Sequence, residues 1–189
     1  GKLDIAVLSI IHMIHHHGDS SKCVYLAPSH ARVDEIIKNL SDRLTAYHVE
    51  VKPQSEDHTI NGQIVVTTAE DWNVLTLHSG FRSCARSLKL FIIDELDFNN
   101  QRFGPIIESI LARTVRENVT TKECNIRLVG LSATLPIDYN DIAAFLRVNP
   151  DEGLFYYDRS CTYIPLSQEC NEVSEVKTYE TANSVCNEN

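Results

Sequence analysis

Four short runs along the chain are apolar at successive positions and rich in β-branched residues: Cys23 to Ala27, Ile64 to Thr67, Leu88 to Ile93 and Ile126 to Leu131. A strand with one wet face alternates apolar with polar residues. A run without alternation has both faces covered, as the strands of a parallel sheet do. Between these runs the apolar period becomes helical. Asp4 to His16 carries Ile5, Leu8, Ile11 and His12 on one predicted stripe, Ala31 to Leu44 carries Val33, Ile36, Ile37, Leu40 and Leu44, and Pro105 to Val115 carries Ile106, Ile110 and Leu111. A further helix is predicted over Asp138 to Leu146, with Pro136 and Asp138 near its start as capping chemistry prefers. Another follows Thr68 and contains Trp72, read there as a packing anchor in preference to a base-stacking platform. The alternation of strand and helix predicts an α/β fold with a mainly parallel sheet flanked by helices.

In such sheets ligands collect at the carboxyl ends of the strands. Ala27-Pro28-Ser29, Thr67-Thr68, Asp94-Glu95 and Ser132-Ala133-Thr134 each end one of the four runs, so four polar strand ends are predicted to share one edge. The pattern changes after about Pro165 to a polar stretch, Gln168 to Asn189, in which Glu, Asn, Ser and Thr dominate. At 189 residues the chain can bury one sizeable core and is short for two complete α/β domains.

Charge narrows the function. A formal net charge of −9 argues against holding nucleic acid by bulk electrostatics, which needs clustered Lys and Arg, so any such contact must be local. No apolar run approaches membrane-spanning length and nothing at the start reads as a signal peptide, from which no membrane partner and a cytosolic or nuclear address are expected. The six cysteines, at 23, 84, 124, 161, 170 and 186, lack the close paired spacing of zinc sites and read as reduced thiols. His12, His15, His16 and His17 crowd one segment, but no Cys or carboxylate follows at ligand spacing. They read as the polar end of a helix before the Gly18-Asp19 turn, with no metal role.

Phe91-Ile92-Ile93-Asp94-Glu95 places two acids directly after an apolar strand, where a nucleoside triphosphatase holds one carboxylate for Mg²⁺ and a second for the attacking water. Taken alone, the pair also reads as the start of a solvated loop. Leu131-Ser132-Ala133-Thr134-Leu135-Pro136 offers hydroxyls to the neighbouring acidic loop, although Ser, Thr and Pro are also ordinary turn residues.

The motifs in order carry more than either alone. Ala27-Pro28, Val66-Thr67-Thr68-Ala69-Glu70-Asp71-Trp72, Ile92-Ile93-Asp94-Glu95, the segment Gly104 to Arg113 and Val129 to Pro136 resemble consecutive motifs of the Ski-like DExH helicases of superfamily 2. Phe145 to Pro150 and Gly153 to Asp158 resemble, within that family, the first cassette of the large spliceosomal snRNP helicases. The resemblance runs from Gly1 to about Gln168, and Ala182-Asn183-Ser184-Val185-Cys186 is similar to the helix that opens the second RecA-like half.

The resemblance implies a RecA-like, P-loop NTPase fold, the first of two RecA halves, with residues 1–165 as that domain and 166–189 as linker and start of the second. It implies an ATP-dependent RNA helicase using ATP and Mg²⁺. RNA, in particular an snRNA duplex, the second RecA-like domain and spliceosomal snRNP proteins are the implied partners, and the nucleus the implied location. Gly1 and Lys2 would close the phosphate-binding loop, with Lys2 on the β- and γ-phosphates. Asp94 would hold Mg²⁺, Glu95 would orient the water, and Asp97 would bond across the cleft. Ser132 and Thr134 would couple nucleotide state to domain movement, while Pro28, Ser29, Thr67 and Thr68 would touch the nucleic-acid backbone. Read without the family, Lys2 is equally a solvated residue at a chain terminus.

Three departures from the family pattern bear on mechanism. The glycine-rich residues that precede Gly1 in the family are not in this sequence; Leu3 stands where the family has Ser or Thr, a direct Mg²⁺ ligand; and Val51 to Gly62 is short and lacks the usual Thr-Gly-Asp, with Glu56-Asp57 as its remnant. Asp97 replaces the family's usual His, a milder change because Asp occupies that place in DEAD-box enzymes. Little ATPase activity is therefore expected of the isolated chain. Two other functions fit the same residues: a RecA-like scaffold or regulatory module that has lost catalysis, and a DNA helicase of the same superfamily.

Overall fold

The structure, a computed structural model, describes residues 1–54, 62–77, 86–96, 104–120, 125–133, 139–157 and 161. In chain order its elements are α1 (Lys2–His17), β1 (Lys22–Ala27), α2 (His30–Leu44), a 3-10 turn (Thr45–Tyr47), β2 (Val51–Pro53), β3 (Ile64–Thr68), α3 (Ala69–Leu77), β4 (Leu88–Ile93), α4 (Gly104–Thr120), β5 (Arg127–Gly130), α5 (Tyr139–Leu146) and α6 (Pro150–Gly153). The strands form one sheet in the order β2-β3-β1-β4-β5, and every neighbouring pair is parallel. The chain divides into two compact units, Gly1–Gly153 and Leu154–Asn189, and only residues 154–157 and 161 of the second are described. The expected boundary at 165/166 lies outside the described residues.

The unbroken apolar runs of β1, β3 and β4 have the physical cause inferred for them, whereas β5 is a sheet edge whose Leu128 and Val129 are only half-buried. Val24 and Leu26 of β1, with Phe91 and Ile93 of β4, face a core made with α3, α4 and α5. Cys23, Tyr25, Leu90 and Ile92 face the opposite core, made with α1 and α2. Burying both faces takes apolar residues at successive positions.

The differences from the sequence reading are local. In α1 the buried positions are Ala6, Val7, Ile10 and Met13, whereas Ile5 and Leu8, on the stripe expected inward, are 39% and 66% exposed and His12 is also exposed. The helix carries two competing apolar stripes, and the one containing small Ala6 turns to the sheet. The run Ile126 to Leu131 yields a shorter strand because Asn118 engages both backbone groups of Ile126: its amide donates to the Ile126 carbonyl and its carbonyl accepts the Ile126 N–H, each at 3.0 Å. Strand β2 carries no periodic signal in three residues, and Pro53, which has no N–H to give, is tolerated because β2 is the sheet edge. The expected cap residues Pro136 and Asp138 lie outside the described residues.

Strand β1 also predicts a pH response. Burial holds the Cys23 thiol well above its ordinary value, and burial, followed by the neighbouring Asp94 charge, does the same for the Tyr25 phenol. Both groups are neutral in the folded chain and release protons more readily once unfolded, so the stability they confer is complete below their ordinary values and is lost as pH rises above about 9. Denaturant midpoints at about pH 8 and pH 10.5 should therefore fall more for the natural chain than for Cys23→Ala/Tyr25→Phe. An equal fall in both would remove these two groups as the cause.

Candidate nucleotide site

Asp94 and Glu95 leave β4 where the chain must turn from the sheet. The Asp94 N–H donates to the Leu26 carbonyl of β1 at 3.1 Å, keeping Asp94 on the sheet edge for one more residue. Its carboxylate is 10% exposed and doubly held: the Tyr25 hydroxyl donates to Oδ2 at 2.8 Å and the Glu95 N–H donates to Oδ1 at 2.9 Å. Glu95 then adopts φ 51°, a left-handed conformation that costs a non-glycine residue roughly 1 kcal/mol. Its side chain is 53% exposed, so one carboxylate is fixed in the wall while its neighbour reaches into solvent.

Lys2 stands opposite both. Its Nζ lies 3.9 Å from Asp94 Oδ1 and 3.8 Å from Glu95 Oε1. These separations are longer than the ~2.7–2.9 Å of a direct charged hydrogen bond. Lys2 is also the first residue of α1, where unpaired helix amides and the helix dipole present positive charge. An ammonium and a helix N-terminus thus face two carboxylates across a gap.

The donors present fit the phosphates of a nucleotide, through Lys2 and the start of α1, and fit Mg²⁺ through the hard carboxylate oxygens of Asp94. One feature departs from that fit: Leu3, where the family has a hydroxyl, turns its side chain onto the core shared by α1, α2 and the sheet.

Ser132 follows β5 and is exposed beside this site. Two main-chain bonds of 2.8 Å join the neighbouring loops: the Leu131 N–H donates to the Ile93 carbonyl, and the Leu96 N–H donates to the Leu131 carbonyl. Residues on either side of the acidic pair are therefore clasped to the residue preceding Ser132. Asp97 and Thr134 lie outside the described residues.

A second polar group forms at the ends of β2 and β3. Thr67 and Thr68 are 2% and 1% exposed. The Thr67 hydroxyl donates to Gln54 Oε1 at 2.7 Å, and that of Thr68 donates to Asp71 Oδ2 at 3.0 Å while accepting the Asp71 N–H at 3.3 Å. His30 Nδ1 lies 3.5 Å from the same Asp71 oxygen, and Gln54 Nε2 donates to the Asp71 carbonyl at 3.3 Å. Both hydroxyls are thus engaged within the loop that they organise, Thr67 with Gln54 and Thr68 with Asp71. Pro28 is half-buried, while Ser29 is exposed and leaves the N-terminus of α2 without a side-chain cap.

Tyr25, Gln54, His30 and Asp71 were not legible as site residues. Tyr25 had a signal, being the polar-tipped residue of an otherwise apolar strand two places before its end. Gln54 had none. Trp72 is fully buried, as a packing residue should be.

Comparison with known proteins agrees with this geometry. The family profile of the DEAD/DEAH box helicases matches residues 1–142. The DExH-box ATP-dependent RNA helicase DExH12 of Arabidopsis thaliana is 43% identical over 204 residues, covering 98% of this chain. The pre-mRNA-splicing factor brr2 of Schizosaccharomyces pombe is 39% identical over 205 residues, covering 100% of it. The chain spans 9% of the length of each of these two relatives. The fold is similar to that of a Saccharomyces cerevisiae Dbp5 variant bound to RNA and ADP BeF3, with a TM-score of 0.57 and 19% identity, over 76% of this chain and 36% of that one. Its motifs, its parallel sheet and this match over three quarters of its length place the chain in the DEAD/DEAH box helicase family.

Proposed function

We propose that the chain forms one wall of the cleft of an ATP-dependent RNA helicase acting in pre-mRNA splicing in the nucleus. The observation that carries this reading is Lys2 Nζ within 3.9 Å of Asp94 and 3.8 Å of Glu95, at the N-terminus of α1. Mg²⁺·ATP, when bound, supplies the phosphoanhydride and the metal that polarises it. Lys2 neutralises the β- and γ-phosphates with help from Gly1 and the first amides of α1. Asp94, held by Tyr25, would hold the metal, and Glu95 would orient the attacking water. Ser132 relays nucleotide state through the clasp that ties Leu131 to Ile93 and Leu96; the resemblance assigns the same role to Thr134, and to Asp97 a bond to the second half.

RNA lies along the ends of β1 and β3. Ser29 reaches it directly, while Pro28, Thr67 and Thr68 shape the backbone that meets it, giving contacts to phosphate and sugar without base readout. An snRNA duplex is the proposed substrate and spliceosomal snRNP proteins the proposed partners, a reading supported by the similarity to the splicing factor named above. Residues 166–189 begin the second RecA-like half, which supplies the opposite wall.

A fluorescent ATP analogue titrated with Mg²⁺ against the natural chain and Lys2→Ala tests the site. Binding at least tenfold weaker in Lys2→Ala is expected, about 1.4 kcal/mol. Equal binding by both proteins would refute the assignment. The packing of Leu3 on the core favours a second reading, a RecA-like regulatory module that binds nucleotide without turnover. Phosphate release by the full-length protein in the presence of RNA distinguishes the two.

A further inference from the structure

A second site lies at the opposite edge of the sheet, where β4 and β5 begin. There the C-terminal half of α1 and the two strand starts enclose a cavity of about 300 Å³ lined by Ser9, His12, His17, Lys89, Asn125 and Arg127, with Met13 and Leu90 as its apolar floor. Four of those six side chains carry or can acquire positive charge, in a chain whose net charge is −9. Among the described residues no carboxylate lines the cavity. His16 stacks beside it, its ring centroid 4.2 Å from that of His12, and His15 stands 5.7 Å from His16.

His12 is held below the ordinary imidazole range, first by desolvation and then by its neighbours His16, Arg127, His15 and His17. The groups facing it are thus the three histidines of its own helix and, from the strands, Lys89 of β4 and Arg127 of β5. The wall is rigid on its far side, because Asn118 of α4 grips Ile126 between Asn125 and Arg127.

We propose that this cavity binds a compact, multiply charged phosphate-bearing anion, held by Lys89 and Arg127 and by His12 and His17 in their protonated forms. Ser9 and Asn125 add neutral hydrogen-bond donors. The volume is at the lower end of ~300–1,000 Å³ for small-ligand sites, which suits a clustered phosphate better than an extended nucleic-acid backbone. An anion beside His12 offsets the neighbouring positive charge that holds its imidazole down, so binding strengthens as pH falls through the imidazole range.

The test is calorimetric titration of Lys2→Ala, which removes the phosphate-binding lysine of the nucleotide site, with trimetaphosphate, whose charge does not change across the histidine range. One equivalent should bind about tenfold more tightly near pH 6 than near pH 8. Adding Lys89→Gln/Arg127→Gln should abolish binding at both pH values. In the same background, His12→Asn/His17→Asn alters only exposed helix positions and should retain weak binding while losing the pH dependence. The proposal is overturned if Lys2→Ala does not bind near pH 6, if binding survives the addition of Lys89→Gln/Arg127→Gln, or if the pH dependence survives in His12→Asn/His17→Asn. Displacement of the anion by a short single-stranded RNA bound more tightly at the same residues would overturn it in favour of a nucleic-acid surface.

Discussion

Glu95→Gln is expected to lower ATP turnover by the full-length protein by about 10²- to 10⁴-fold, with nucleotide affinity changed by less than about threefold. The split follows from the different roles proposed for the two carboxylates. Asp94, proposed to hold the metal, is fixed by Tyr25 and by the Glu95 amide. Glu95 is half-exposed, at φ 51°, and makes only a 3.8 Å approach to Lys2, so its carboxylate can reorient toward a water. Glutamine keeps the shape and loses the charge that polarises the water, a deficit of roughly 3–5 kcal/mol in the barrier. Steady-state phosphate release with saturating RNA, alongside equilibrium binding of a fluorescent nucleotide, separates the two quantities. Turnover within a factor of about three of the natural protein would remove Glu95 from the chemistry.

The largest loss of stability is expected from Trp72→Ala, about 3–5 kcal/mol. Trp72 is fully buried and packs against Phe91 of β4, with ring centroids 5.7 Å apart and planes at 52°. Truncation opens a cavity between α3 and the sheet that α4 cannot collapse into without leaving Ile110 and Leu111 unpacked. Against a typical total of about 5–15 kcal/mol, this is a fall in melting temperature of roughly 6–20 °C. Trp72→Phe, which retains an aromatic ring, should recover more than half of it. If Trp72 were instead a stacking platform for bases, alanine would weaken RNA binding and leave the melting temperature unmoved.

How much of this was legible before the fold was known varied with the kind of signal. The sheet was legible because residues such as Val24 to Leu26 and Phe91 to Ile93 must satisfy two apolar faces at once. The phase of α1 was not, because Ile5 and Leu8 match Val7 and Ile10 in hydrophobicity and only the sheet decides between them. Of the site, Asp94 and Glu95 announced themselves at the end of a strand. Tyr25 and Gln54 act through partners 69 and 13 residues away, and a separation of that kind leaves no local pattern. The partners of the Thr67 and Thr68 hydroxyls were hidden for a related reason: a polar strand end can cap the next helix as readily as meet a ligand, and the fold brings Gln54 to Thr67 and Asp71 to Thr68.

Leu3 stands where two demands on the chain oppose each other. Its side chain contributes to the core beneath α1, so restoring Thr or Ser at that position would trade buried apolar surface for a hydroxyl, at about 1 kcal/mol. A hydroxyl gained at position 3 for a metal is therefore also a loss of packing, and the same change is read with opposite sign by nucleotide turnover and by domain stability.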